Sequence, residues 1–105
     1  MRRKHIVDKI SEELKSIAPE AEVFLYGSEA RGEARPDSDF DVLILLPDSI
    51  DIATYIAKRS EVSGRMFELS LDLEVEISPL ILPKNVWIAR KTPFTINVIN
   101  DGIRI

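Results

Sequence analysis

The run Phe40-Asp41-Val42-Leu43-Ile44-Leu45-Leu46 constrains the fold more than any other stretch of the chain. Leu43 to Leu46 are continuously apolar, as expected of a central strand covered on both faces. Asp39-Phe40-Asp41 opens that strand. Strand side chains alternate faces, so Asp39 and Asp41 point the same way, roughly 6–7 Å apart along the backbone, while Phe40 and Val42 point toward a core. Two carboxylates side by side at the start of a buried strand repel each other and are costly to desolvate. A cation between them removes that cost, and hard oxygen ligands of this kind suit Mg²⁺.

Upstream, a shorter apolar strand over Val23 to Tyr26 runs into Gly27-Ser28. Gly27 lets the backbone approach a ligand closely, and Ser28 is placed to cap a short helix over Glu29 to Glu33. Free N–H groups at such a helix start attract phosphate. The stretch therefore offers a phosphate cradle on one side and a cation clamp on the other, a pairing suited to chemistry on a nucleoside triphosphate. Arg31 and Arg35 lie in the intervening turn; each either neutralises phosphate charge or forms a surface salt bridge with Glu29, Glu33 or Asp37. Ser38 fixes the turn or the entry to the strand.

Elsewhere, Ile6, Val7, Ile10, Leu14 and Ile17 fall at helical spacing, which predicts an amphipathic helix over 3–17 ended by Pro19, its Lys and Arg residues forming a solvated face. His5 reads as a surface residue. After Pro47-Asp48-Ser49, either Ser49 or Asp51 caps a helical stretch from Ile50 to Leu71, with Gly64 and the Arg59-Ser60 region dividing it in two and Tyr55 packed at its edge. Asp72 to Leu82 alternates as a strand, with Leu73, Val75 and Ile77 on one face and Glu74, Glu76 and Ser78 on the other. Val86, Trp87 and Ile88 are expected to close over the core. Thr92-Pro93 opens a last helix through Asn100, stopped by Gly102. Ile103-Arg104-Ile105 is too short to assign.

At 105 residues the chain is expected to form a single domain over 1–105, with room for a four- or five-stranded sheet and a few helices. Eighteen acidic against fourteen basic residues give a net charge of −4, which disfavours a nucleic-acid substrate because backbone binding needs a basic face. The absence of cysteine removes disulfides and thiolate metal sites and fits a cytoplasmic protein. No signal-peptide core or membrane span is expected.

Gly27-Ser28, ten residues, then Asp39-x-Asp41 resembles the signature of the DNA polymerase β-like nucleotidyltransferases. The fuller wording G-S-E-A-R-G-E-A-R-P-D-S-D-F-D is most similar to their minimal (MNT) branch. The resemblance runs from Val23 to Ile105, its specific part confined to residues 27–41. It implies an α+β two-layer fold with a mixed sheet of four or five strands and helices mainly on one face. It further implies ATP or another NTP as donor, two Mg²⁺ ions, and transfer of a nucleoside monophosphate to a hydroxyl. Asp39 and Asp41 would be metal-holding and catalytic; Gly27, Ser28, Arg31, Arg35 and Ser38 would lie at the nucleotide. A third carboxylate from a neighbouring strand would ligate metal and take the acceptor's proton. Glu76 is preferred, because the E-I-S-P that it begins resembles the corresponding strand of short family members, and Glu74 stays open on the same face. Short MNT proteins pair with HEPN-domain proteins as antitoxin and toxin, which implies AMP transfer to a partner tyrosine. The open side of the site would be completed by such a partner or by a second copy of the chain. The alternatives are transfer to a small hydroxylated molecule such as an aminoglycoside, and a non-catalytic module that neutralises its partner by contact.

Overall fold

The structure, a computed structural model, describes residues 3–33, 35 and 38–105. The element order is α1 (Lys4–Ile17), β1 (Glu22–Tyr26), α2 (Gly27–Ala30), β2 (Phe40–Leu46), α3 (Ile52–Leu73), β3 (Ile77–Pro83), α4 (Lys84–Ala89), α5 (Pro93–Asp101) and β4 (Ile103–Arg104). The four strands form one mixed sheet in the order β3-β2-β1-β4. β1 is antiparallel to β2 and to β4, and β3 is parallel to β2. A parallel neighbour requires a crossover, and α3 supplies it.

β2 is the central strand that its composition requires. Phe40, Val42, Ile44 and Leu46 face α1 and α3, joining Ile10, Leu14, Val62 and Met66 in the larger core. Leu43 and Leu45 point to the opposite face, where Trp87 of α4 and Val98 of α5 cover them. The two long helices thus lie on one face and two short ones on the other. Lys58 ties the long pair together by donating to the Ile17 carbonyl at the end of α1, 2.8 Å away. Among the described residues no helix is long and apolar enough to cross a membrane.

Asp51, not Ser49, caps α3 by accepting from the Thr54 N–H at 2.8 Å, and Thr92 caps α5 in the same way. Tyr55 sits at the edge of α3, its hydroxyl donating to the Ile81 carbonyl at 2.7 Å. Three expectations are corrected. α3 is one uninterrupted helix of 22 residues, because Arg59, Ser60 and Gly64 lie on an exposed part of it while Val62, Met66 and Leu69 bury into the sheet. The strand expected from Asp72 begins at Ile77: the helix continues through Leu73 and ends on Glu74 in the left-handed conformation, φ 54° and ψ 44°. Of the expected lid, only Trp87 packs down; Val86 and Ile88 are exposed. Ile103–Arg104, left unassigned, pairs with Phe24 and Leu25 at the edge of the sheet.

Candidate active site

Antiparallel pairing brings the end of β1 beside the start of β2, and parallel pairing brings the start of β3 to the same end. Tyr26 lies opposite Asp41 on one side, and Ser78 lies opposite it on the other. Residues paired in register share a face, so Asp41 sits between Tyr26 and Ser78 on the face that Leu43 and Leu45 continue. Asp39 precedes the strand and is exposed, and the Ser78 hydroxyl donates to its Oδ2 at 3.3 Å. The two aspartates come together as the alternation predicts.

Asp41 is half-buried. Burial, and then the charge of Asp39, hold its carboxyl above the ordinary aspartate range, against an opposing pull from Arg31. Burial, with Asp41 adding to it, likewise pushes the Tyr26 hydroxyl up. These two shifts mark a place where negative charge accumulates beside a strand end, an arrangement that enzymes use and that structure alone does not favour.

Gly27 is dictated twice over. Its φ is +75°, in the left-handed region, and a Cβ there would overlap Asp41 Oδ2 and lie 3.3 Å from Asp41 Cγ. The chain therefore turns from β1 into α2 in direct contact with the carboxylate. α2 is displaced from the expected helix at Glu29 to Glu33: it spans Gly27–Ala30 with Tyr26 at the N-cap. Ser28 is accordingly within the first turn and makes no capping bond, while its carbonyl accepts from the Glu33 N–H at 2.9 Å. The first-turn N–H groups, that of Ser28 among them, have no acceptor within the helix, and the Ser28 side chain caps none of them.

Arg31 takes the salt-bridge role. It is exposed, donating to Glu33 at 3.2 Å and to Asp101 of α5 at 2.9 Å. Arg35 is exposed, with its N–H donating to Ser38 Oγ at 2.8 Å. Ser38 fixes the turn as expected, because its own N–H returns to the Arg35 carbonyl at 3.0 Å. Asp37, a partner considered for both arginines, lies outside the described residues.

Of the two candidate third acids, Glu76 directly precedes β3, and its carbonyl accepts from the Phe40 N–H at 2.9 Å. Glu74 is off the sheet, at the left-handed turn after α3. Both are exposed and line a cleft that also touches Arg3 and Ser38. Among the described residues no group of three His, Cys, Asp or Glu side chains is placed to hold a metal ion, so the structure assembles the aspartate pair without a third carboxylate. The chemistry of the pair still fits a hard divalent cation. Its donors are oxygens, and the repulsion felt at Asp41 is what such an ion relieves.

One structural element of the site has no counterpart in the sequence reading. Glu29, by sequence a possible surface partner for the turn's arginines, is 1% exposed. Arg3 reaches it with two bonds of 3.4 Å, donates to the Ser38 carbonyl at 2.9 Å, and lies 4.2 Å over the Phe40 ring. This cation braces α2, the turn and the start of β2 from behind. Residues 26 apart carry no periodic signal, so opposite charge was the only clue.

Residues 7–97 match the family described as Nucleotidyltransferase domain. A Methanocaldococcus jannaschii protein named as a candidate protein adenylyltransferase is 32% identical over 83 residues, covering 79% of this chain and 76% of that protein. The fold is that of a candidate minimal nucleotidyltransferase, with a TM-score of 0.65 at 20% identity over 100% of this chain and 97% of that one. It is also found in a structure of the tri-AMPylated Shewanella oneidensis HEPN toxin in complex with MNT antitoxin, with a TM-score of 0.59 at 20% identity over 96% of this chain and 69% of that one. Together with the glycine bend packed on a paired aspartate, the match over residues 7–97 establishes that the chain belongs to the nucleotidyltransferase domain family and is a nucleotidyltransferase.

Proposed function

We propose that this nucleotidyltransferase moves AMP from ATP to a tyrosine hydroxyl of a HEPN-domain partner, in the cytoplasm, as the antitoxin of a toxin–antitoxin pair. The observation that carries the reading is Asp41, half-buried between Tyr26 and Ser78, in contact with the Gly27 bend and charged against Asp39. The AMPylated toxin in the similar complex supports the choice of donor and partner.

In this reading Asp39 and Asp41 would hold Mg²⁺, and Glu76, which the structure does not group with them, would have to join them as the third carboxylate. Bound there, the ions would supply positive charge against the triphosphate and the departing pyrophosphate. The first-turn N–H groups after Gly27 orient phosphate oxygens toward the aspartates. The acceptor oxygen forms a bond to the α-phosphorus as the bond to the pyrophosphate oxygen breaks, and the Glu76 carboxylate receives the hydroxyl proton. Arg31, whose charge already reaches Asp41, exchanges its bonds to Glu33 and Asp101 for phosphate oxygens. Ser38 and Arg35 hold the turn at which the nucleotide is received.

The test is intact-mass analysis of a HEPN partner co-expressed with the chain, followed by peptide mapping. The expected result is an AMP adduct on a tyrosine, lost with Asp41→Asn and reduced far more by Glu76→Gln than by Glu74→Gln. Neutralisation of the partner without any adduct favours a contact-only module. An adduct undiminished by Asp41→Asn removes Asp41 from the chemistry.

A further inference from the structure

α3 carries a second apolar face that none of the described residues covers. Val62, Met66 and Leu69 point into the sheet, while Lys58 and Arg65 lie toward α1, bonded to Ile17 and Glu13. On the remaining third, Ile52, Ile56, Phe67 and Leu71 are 78%, 58%, 63% and 63% exposed. With the exposed Ser60 and Ser63, they fall within about 100° of the helix circumference at 3.6 residues per turn. A soluble helix that needs one buried face has no use for a second.

The order along this stripe is large, large, small, small, large, large. The pairs Ile52/Leu71, Ile56/Phe67 and Ser60/Ser63 share one midpoint, between Glu61 and Val62. A two-fold axis through that point places each aliphatic side chain of one copy against the large apolar residue at the other end of its mate. The serines meet at the centre, where small side chains let two helices approach closely. A surface that is its own complement under a two-fold is what an isologous dimer requires. The four large side chains expose on the order of 500 Å² per copy, hence about 1,000 Å² for two, the lower bound of a specific interface.

We infer that α3 is a homodimer interface, two copies packing antiparallel along the Ile52–Leu71 stripe. The area makes this a dimer of modest affinity, dissociating in the micromolar range. The stripe lies outside the Gly27, Asp41 and Ser78 contacts, with only Leu71 at its end lining the cleft of Glu74 and Glu76, and the association it predicts is read without the proposed transfer reaction.

Sedimentation equilibrium on the full chain, from about 1 to several hundred μM, tests it. The expected mass rises with concentration from one copy, 11.9 kDa, toward two. Phe67→Glu, exposed and therefore free to be charged without disturbing the fold, shifts the dissociation constant at least tenfold while leaving the circular dichroism unchanged. Because the chain has no native cysteine, orientation can be read by oxidation. Ile52→Cys and Leu71→Cys variants, mixed, give a cross-linked heterodimer, while neither alone gives a cross-linked dimer. A monomer throughout the range overturns the inference, as does a dimer indifferent to Phe67→Glu or cross-linking of Ile52→Cys to itself. If Phe67→Glu instead abolishes binding of a HEPN partner to a monomeric chain, the stripe belongs to that partner and the homodimer is refuted.

Discussion

Gly27→Ala separates two effects that coincide at one atom. The substitution forces an L side chain into φ +75°, which destabilises by about 1–2 kcal/mol. It also drives a methyl into the Asp41 carboxylate, the far end of a half-buried side chain that can shift, so this adds only the low end of an overpacking cost, about 1 kcal/mol. The sum, at several degrees per kcal/mol for a chain of this length, lowers Tm by on the order of 10 °C or more. Removing the carboxylate separates the two. In an Asp41→Ala background the nearest remaining Asp41 atom, Cβ, stands at 3.6 Å from the new methyl, an ordinary contact. There, Gly27→Ala retains only the backbone part. Urea denaturation of the four proteins of this cycle therefore gives a coupling of about 1 kcal/mol, with the double variant less destabilised than the sum of the singles. A coupling below about 0.5 kcal/mol refutes the packing of the bend against Asp41. So does a Gly27→Ala protein as stable as the parent.

Other consequences are simpler to measure. Arg3→Ala leaves the Glu29 carboxylate buried without the ion pair that holds it, and costs about 3 kcal/mol or more in urea denaturation; a loss under about 1 kcal/mol contradicts the bracing role. Asp41 binds its proton more tightly in the folded chain than in the unfolded one, so its contribution to stability is most favourable below the ordinary aspartate range and falls as pH rises through its raised value. Metal-free Asp41→Asn is therefore more stable than the parent at neutral pH, with the advantage vanishing at acid pH; a pH-independent difference in Tm contradicts this. Added Mg²⁺ raises the parent's Tm and leaves that of Asp41→Asn unchanged, since a cation that binds the folded state stabilises it by mass action; equal shifts in both proteins place the binding elsewhere. Asp51→Ala removes the cap of α3 and costs about 1 kcal/mol, read in thermal unfolding, and no change denies the cap an energetic role.

What the sequence made legible was local and periodic. Leu43 to Leu46 announced a strand with two buried faces, and the structure covers it with α1 and α3 on one side and with Trp87 and Val98 on the other. Asp39 and Asp41 share a side because strands have a period of two. Asp51 and Thr92 cap helices because each is a polar residue followed by a helical run. Errors fell where two periods agree. Leu69, Leu71, Leu73, Val75 and Ile77 satisfy a strand alternation, but Leu69 and Leu73 are also one helical turn apart, and packing against the sheet extended the helix to Leu73. Its stop is a left-handed Glu74, at a position where glycine is the usual signal. The two-residue β4 carries no pattern of its own and exists because β1 presents an edge. Arg3–Glu29 was illegible because a contact between distant segments leaves no periodic trace in a single sequence, and opposite charge alone does not pick the pair.

ATP labelled in turn at its α- and γ-phosphorus distinguishes whether the aspartate pair beside Gly27 serves nucleotidyl transfer. With a HEPN partner and Mg²⁺ present, the expected result is that α-label becomes covalently attached to the partner, that γ-label leaves as pyrophosphate, and that Asp41→Asn abolishes attachment. Attachment of γ-label, or α-label incorporated equally by Asp41→Asn, contradicts it.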